Sequence, residues 1–255
     1  MTLNSIQMLR HYNKKVKVRV FLIGGIGKDR FEQMSKTLDF ELVHRQPTKE
    51  AKDHNLFLLN RQYLGECEEE SVLYIDGDTF IFGDVETLFE RYKDYDFAGA
   101  IDVSVSFSED WDKGDAEASF RMFGSETQDI FNGGLTLWNN NVLKGWAGEF
   151  FVPTCLRLLD ERDVPVCKWL WSGTRNGYLS ETLTIAFYVG GKKLKYRVME
   201  DKDVINLFSW DAIKRWCERD FIVFHSFAQH WTTLYRTLRE QKSNFKLTGK
   251  PLLRL

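Results

Sequence analysis

Proline is scarce in this chain: 4 residues in 255, with no Pro-rich tract to mark a linker. Cysteine is equally sparse. Cys67, Cys155, Cys167 and Cys217 are scattered, and none forms a C-x-x-C pair, which argues against a zinc ribbon or a thioredoxin-type redox site. Four isolated thiols suit a reducing compartment. No apolar run approaches the roughly 18 residues a spanning helix requires, so no membrane span is expected. The N-terminus has no apolar core of a signal peptide, so the expected location is cytoplasmic. A formal net charge of −2 offers no basic face, and nucleic acid is not expected as a partner. Internal repeats and low-complexity tracts are also missing.

What remains is an ordinary globular composition, 43% hydrophobic and 28% charged, long enough to bury a large core. With no composition shift along the chain, residues 1–255 are expected to form one domain. The 8 Trp and 20 Phe suit both a large core and surfaces on which sugars or bases stack.

Hydrophobic periodicity predicts a helix from Leu3 to Tyr12. A strand is then expected from Val16 into Gly24-Gly25, where apolar and basic residues first alternate and then give way to a fully apolar run. "KDRFEQMSKTL" (28–38) reads as a helix, "DFELVH" (39–44) as a strand, and the stretch around Leu56, Leu59 and Leu64 as helical. A strand at Ser71–Ile75 follows, then a helix in "DVETLFERYKDY" (84–95) and a strand in "DFAGAIDV" (96–103). Residues 104–128 read as a long loop or short helical insertion. "IFNGGLTLWN" (130–139) is a strand leading into helix through Leu159, and "SETLTIAFYVGG" (180–191) a helix. "KLKYRVM" (193–199) and "DFIVFHSF" (220–227) are late strands, and a basic amphipathic helix is expected at about 232–242. Strands and helices in alternation predict an α/β protein with a sheet between helices.

The segment "SVLYIDGDTFIFGD" (71–84) carries the chemistry. Ser71–Ile75 is apolar enough to be a central strand buried on both faces, and open α/β sheets bind ligands beyond the carboxyl ends of such strands. In an extended backbone residues i and i+2 point the same way. Asp76 and Asp78 would then converge, with Gly77 allowing a bend. Two adjacent carboxylates repel unless a cation lies between them, and a hard divalent ion suits oxygen donors and phosphates alike. The plainer reading is a strand-end turn, since Asp-Gly is a common turn pair.

"LYIDGDTFIFGDVETLF" resembles the D-x-D segment of GT-A-fold glycosyltransferases, particularly the glycogenin and galactosyltransferase-like family 8. "IFNGGLTLWN" is similar to that family's F-N-s-G segment. "LNRQYL" (59–64) lies where the family carries an arginine-bearing helix, "YLSETLTIAF" (178–187) where it has its D-Q-D helix, and "FIVFHSFAQHW" (221–231) resembles a late strand ending in a metal-binding histidine. The resemblance implies a GT-A (Rossmann-like) fold, a mixed and mainly parallel sheet flanked by helices. It implies a metal-dependent, retaining glycosyltransferase moving a hexose from a nucleotide-diphosphate sugar, UDP-sugar favoured, to a hydroxyl of a glycan or glycoprotein acceptor. By the same resemblance Asp76 and Asp78 hold Mn²⁺ (or Mg²⁺) against the donor diphosphate and His225 completes the metal site. Gly77 belongs to the donor-binding turn, and Arg61 reaches the diphosphate or sugar. Asn132, Gly133 and Gly134 line the sugar pocket, and Glu181 touches the transferred sugar or the acceptor as the catalytic candidate.

Plainer roles stand beside each of these. His225 fits a core histidine, with His230 the other candidate ligand. Arg61 fits a surface arginine, Asn132–Gly134 a strand bulge, and Glu181 a helix cap. "GGIGK" (24–28) is not a phosphate loop, because Asp29 stands where Ser or Thr is required. The family also opens on a nucleotide-binding strand ahead of its first helix, and Met1-Thr2-Leu3 reads as already inside that helix, so the strand is expected to be missing or replaced. The lysine that follows the late histidine in the family has no clear counterpart, and "SET" replaces "D-Q-D". Two rival functions follow: a catalytically inactive GT-A domain that binds carbohydrate or serves as a scaffold, and a sugar nucleotidyltransferase. The latter would need a G-x-G-x-R loop near the start, and none is present.

Overall fold

The computed structural model describes residues 2–102, 113–125, 129–160, 164, 176–200, 202–207 and 223–226. The chain opens with α1 (Thr2–Tyr12), β1 (Arg19–Ile23), α2 (Lys28–Leu38) and β2 (Glu41–Arg45). The turn from β1 into α2 places Gly24, Gly25 and Gly27 at φ of 72°, 76° and 75°, a left-handed region that side chains disfavour. A short helix α3 (Lys49–Asp53) follows, its first turn capped by the Thr48 hydroxyl accepting from Ala51 N–H, and then a 3₁₀ segment, Phe57–Glu66.

β3 (Ser71–Ile75) and the short β4 (Thr79–Ile81) come next, then α4 (Glu86–Tyr92), β5 (Phe97–Ile101) and α5 (Lys113–Met122). The long strand β6 (Phe131–Asn139) leads into α6 (Asn140–Gly145), a π-helical turn (Trp146–Phe150) and α7 (Phe151–Asp160). The remaining elements are α8 (Asn176–Gly191), β7 (Tyr196–Val198), β8 (Val204–Leu207) and β9 (Val223–Ser226). The amphipathic helix expected at 232–242 lies outside the described residues.

Three sheets result, ordered β1-β2, β3-β6-β5-β7 and β4-β9-β8. The mixed α/β architecture flanked by helices is the one expected, but parallel pairing does not predominate among the described residues. β6 runs antiparallel to both β3 and β5, and β4 antiparallel to β9, while β1/β2, β5/β7 and β8/β9 are parallel. Two further short strands, β4 and β8, pair through β9.

The centre of the four-stranded sheet is β6, buried along nearly its whole length. Phe131 and Trp138 pack with Phe97 under Trp146, Phe151 and Ile185, against the 3₁₀ segment and α8. Leu135 and Leu137 pack on the other face against Leu9 of α1 and Leu88 of α4. Each such side chain stabilises the fold by about 1.5–3 kcal/mol. β3 was expected at the centre of a sheet. Among the described residues it lies at the sheet's edge, and its side chains are only partly buried. Its two faces nonetheless meet two apolar clusters, Val72 and Tyr74 packing against one and Leu73 and Ile75 against the other.

β3 and β5 both run antiparallel to β6 and therefore share a direction. Their carboxyl ends, Ile75-Asp76 and Ile101-Asp102, come out at the same end of the sheet. Between them lies the start of β6, which carries Asn132-Gly133-Gly134.

Candidate active site

At the carboxyl end of β3 the chain turns at once. Thr79 N–H donates to the Asp76 carbonyl at 3.1 Å, closing Asp76-Gly77-Asp78-Thr79 into a β-turn. The extended geometry expected to aim Asp76 and Asp78 the same way is not present; both instead line one wall of a cleft of about 1000 Å³. Gly77 is required here because α1 begins against it. A β-carbon at residue 77 would collide with Thr2, and the Ser5 hydroxyl donates to the Gly77 carbonyl at 3.0 Å.

Arg61 is the hub of the site. It comes from the 3₁₀ segment and is largely buried. Its Nη2 donates to Asp76 Oδ1 at 2.9 Å and its Nη1 to the Gly133 carbonyl at 2.8 Å. The Nη1 also forms an ion pair with Glu181 Oε1. The guanidinium lies over the Tyr74 ring, 4.5 Å from its centroid, a cation–π contact. Tyr74 in turn donates its hydroxyl to Asp76 Oδ1 at 2.6 Å. Burial pushes the Tyr74 hydroxyl far above its ordinary pKa, so it stays a proton donor at every working pH. Asp76 thus has a cation beside it, and that cation is Arg61.

The Asn132–Gly134 stretch is a bulge. β6 uses the five steps from Phe131 to Thr136 to span the two from Gly99 to Ile101 in β5. The bulge is stabilised from inside, with Gly134 N–H donating to Asn132 Oδ1 at 2.8 Å, and from β3, with Asp76 N–H donating to the Gly134 carbonyl at 2.8 Å. The space beside the Gly133 α-carbon holds the Glu181 carboxylate, which a β-carbon would overlap. Glu181 is buried on α8, five residues beyond its start at Asn176, and so is not a helix cap.

His225 lies on β9, whose backbone register sets it opposite Thr79, next to Asp78. Its side chain, and all of His230, lie outside the described residues. Among the described residues no three His, Cys, Asp or Glu side chains gather as a metal site. The donor set still suits a hard divalent ion: two carboxylates on one turn and an imidazole carried by the strand paired to that turn. Arg61 and Tyr74 both donate to Asp76 Oδ1.

Asp102 was missed in the sequence reading. It is buried at the carboxyl end of β5 and accepts from Asn132 Nδ2 at 3.4 Å, which sets it on the far side of the bulge from Asp76. The signal was there: "DFAGAID" ends an apolar strand on an aspartate just as "SVLYID" does.

No protein-family model and no curated protein sequence matches this chain. Solved structures do. The apo form of the glycosyltransferase GlyE of Streptococcus pneumoniae TIGR4 superposes on 90% of the chain with a TM-score of 0.58 at 17% identity. Mouse xyloside xylosyltransferase 1 does so over 89% with a TM-score of 0.51 at 11% identity, and 91% of its own length is matched. The galactosyltransferase LgtC, solved with donor and acceptor sugar analogs, aligns over 88% of this chain and 81% of its own, with a TM-score of 0.52 at 12% identity. The chain spans about half of the GlyE chain, 51%. The fold is therefore that of GT-A glycosyltransferases.

Proposed function

We propose that this chain is a glycosyltransferase. It would move a sugar, with retention, from a nucleotide-diphosphate sugar, UDP-sugar favoured, to a hydroxyl of a glycan or glycoprotein. The observation that supports this most directly is the convergence of Asp76, Arg61 and Glu181 on one cleft at the carboxyl end of β3, with Arg61 also held by the Gly133 carbonyl, in a fold shared with glycosyltransferases. A binding cleft beyond the carboxyl ends of strands is where α/β sheets seat their ligands.

In this reading Asp76 and Asp78, with His225, hold Mn²⁺ (or Mg²⁺). Such an ion supplies charge compensation to the departing diphosphate. Arg61, already fixed by three oxygen acceptors and an aromatic face, presents its remaining N–H groups to the donor without first paying for its own ordering. Asn132 and the Gly133-Gly134 backbone form the floor beside the sugar, and Asp102 braces that floor through Asn132. The Glu181 carboxylate, held by Arg61 and lining the cleft, is the candidate to face the acceptor or the oxocarbenium-like charge.

A second reading, a carbohydrate-binding domain without turnover, is favoured by one feature: Arg61 already neutralises Asp76 and Glu181 from within the protein. Incubation with a panel of UDP- and GDP-sugars, with and without Mn²⁺, decides between them by following nucleoside diphosphate release. Metal-dependent release lost in Asp78→Ala supports the transferase. Sugar-nucleotide binding with no release under any condition supports the binding domain, and pyrophosphate release from a sugar phosphate and a nucleoside triphosphate would point to a nucleotidyltransferase instead.

A further inference from the structure

Asp76 is held by two neighbours of different kinds. Arg61 Nη2 and the Tyr74 hydroxyl both donate to its Oδ1, at 2.9 Å and 2.6 Å. The first donor carries a charge and the second does not. That difference matters once a divalent ion joins the same carboxylate. Two cations beside one carboxylate repel each other, so an arriving ion weakens the hold of Arg61 on Asp76. Arg61 then still has the Gly133 carbonyl and Glu181 to keep it in place. The Tyr74 hydroxyl is neutral and meets no such repulsion. It can donate to Asp76 with the ion absent or bound.

Tyr74 is itself fixed in advance. It lies in β3 opposite Thr136 of β6, two residues ahead of Asp76, and residues i and i+2 of a strand share a face. Together with Val72 it packs against the core cluster that contains Phe131 and Trp138. The Arg61 guanidinium covers its ring, 4.5 Å from the centroid. A ring held by the core and by a guanidinium has one place for its hydroxyl, and that place is on Asp76. Groups that hydrogen-bond a ligand carboxylate set its orientation, and losing one typically lowers metal affinity by about 10–100-fold.

We propose that Tyr74 is a positioning residue for divalent-ion binding at Asp76. Its hydroxyl keeps the carboxylate in one orientation when the charge of the ion loosens Arg61 from it. The inference rests on the proposed role of Asp76 as a metal ligand. Tyr74 acts through Asp76 and touches neither ion nor sugar.

The test is Tyr74→Phe in the full chain, which removes the hydroxyl and leaves the ring under Arg61. Electron paramagnetic resonance counts free Mn²⁺ in titrations of the protein, with and without UDP, well below the melting temperature. The variant should bind Mn²⁺ about 10–100-fold more weakly than the native chain. Val72→Ala removes packing from the same strand and the same cluster. It should lower Tm and leave Mn²⁺ affinity unchanged, which separates positioning from a general loosening of β3. Native Mn²⁺ binding that Tyr74→Phe leaves intact overturns the proposal, and so does an equal loss in Val72→Ala. No saturable Mn²⁺ binding by the native chain would sink the metal reading itself, and the role of Tyr74 with it. Should Tyr74→Phe fail to fold, the native chain decides. The Cζ resonance of ¹³C-labelled Tyr74 should shift on saturation with Mg²⁺, because its acceptor then shares charge with the ion. A resonance indifferent to the ion overturns the proposal.

Discussion

Replacing Arg61 by alanine should be among the most damaging single changes near the site. The guanidinium joins elements far apart in the sequence: Asp76 at the end of β3, the Gly133 carbonyl in the β6 bulge and Glu181 on α8. Without it Asp76 keeps the Tyr74 hydroxyl, but the Glu181 carboxylate, only 5% exposed, loses its cation. Removing one partner of a buried pair typically costs about 3–5 kcal/mol. Asp76 is 26% exposed, and water screens part of its loss, so the low end, about 3 kcal/mol, is expected. For a domain of this size 1 kcal/mol moves Tm by about 2–4 °C, giving a fall of about 6–12 °C. Differential scanning fluorimetry and urea titration of the variant check this. Arg61→Lys should recover less than half, since a point charge cannot reach three acceptors together. Arg61→Ala with Glu181→Gln should be more stable than Arg61→Ala alone by about 1–2 kcal/mol, because the buried charge is gone. A Tm change under about 2 °C, or perfect additivity of the two substitutions, would refute the view of Arg61 as the hub.

Gly133→Ala should cost about 1–3 kcal/mol in urea titration, because the added methyl overlaps the Glu181 carboxylate and one of the two must shift. Arg91→Ala should cost about 3–5 kcal/mol and lower Tm accordingly, because it strands the fully buried Asp203 carboxylate, which keeps only the Tyr92 hydroxyl donating at 2.5 Å and joins α4 to the entry of β8. The Glu69 carboxyl is lowered from 4.5 to about 2, chiefly by its hydrogen bond from Lys17. A depressed carboxyl contributes stability present above the unfolded value and lost as pH falls through the folded one. Urea midpoints of the native chain should therefore fall between pH 4.5 and about 2, and Lys17→Met should flatten that part of the acid limb.

The helices and strands with clear periodicity were legible before any coordinates. α2 at 28–38 and β3 at 71–75 fall on the predicted residues, because amphipathic period and a fully apolar run are local signals. β4 and β8 were not legible. Each is three or four residues long, and each exists only because β9, from far along the chain, pairs with it. The apolar run of β3 does have a core cluster on each face, Val72 and Tyr74 against one and Leu73 and Ile75 against the other, but which strands pair along its edges is not a local signal.

The candidate site divides along the same line. "IDGD" marks the carboxyl end of an apolar strand, where α/β sheets seat their ligands, and "FNGG" opens the strand paired to it. Residue types and their order along the chain were enough to predict an α/β sheet, the carboxylates at its carboxyl end and the kind of cation they suit. Sequence alone did not show that Arg61 already serves as that cation for Asp76, that Glu181 fills the space Gly133 leaves, or that Asp102 braces the bulge. Nor did it show that residues of β1 and β3 line one cleft with Arg61, Asp76 and Glu181. Those contacts join residues 15 to 120 positions apart. No local pattern encodes them, because they arise only when β6 threads between β3 and β5 and α8 closes over its bulge.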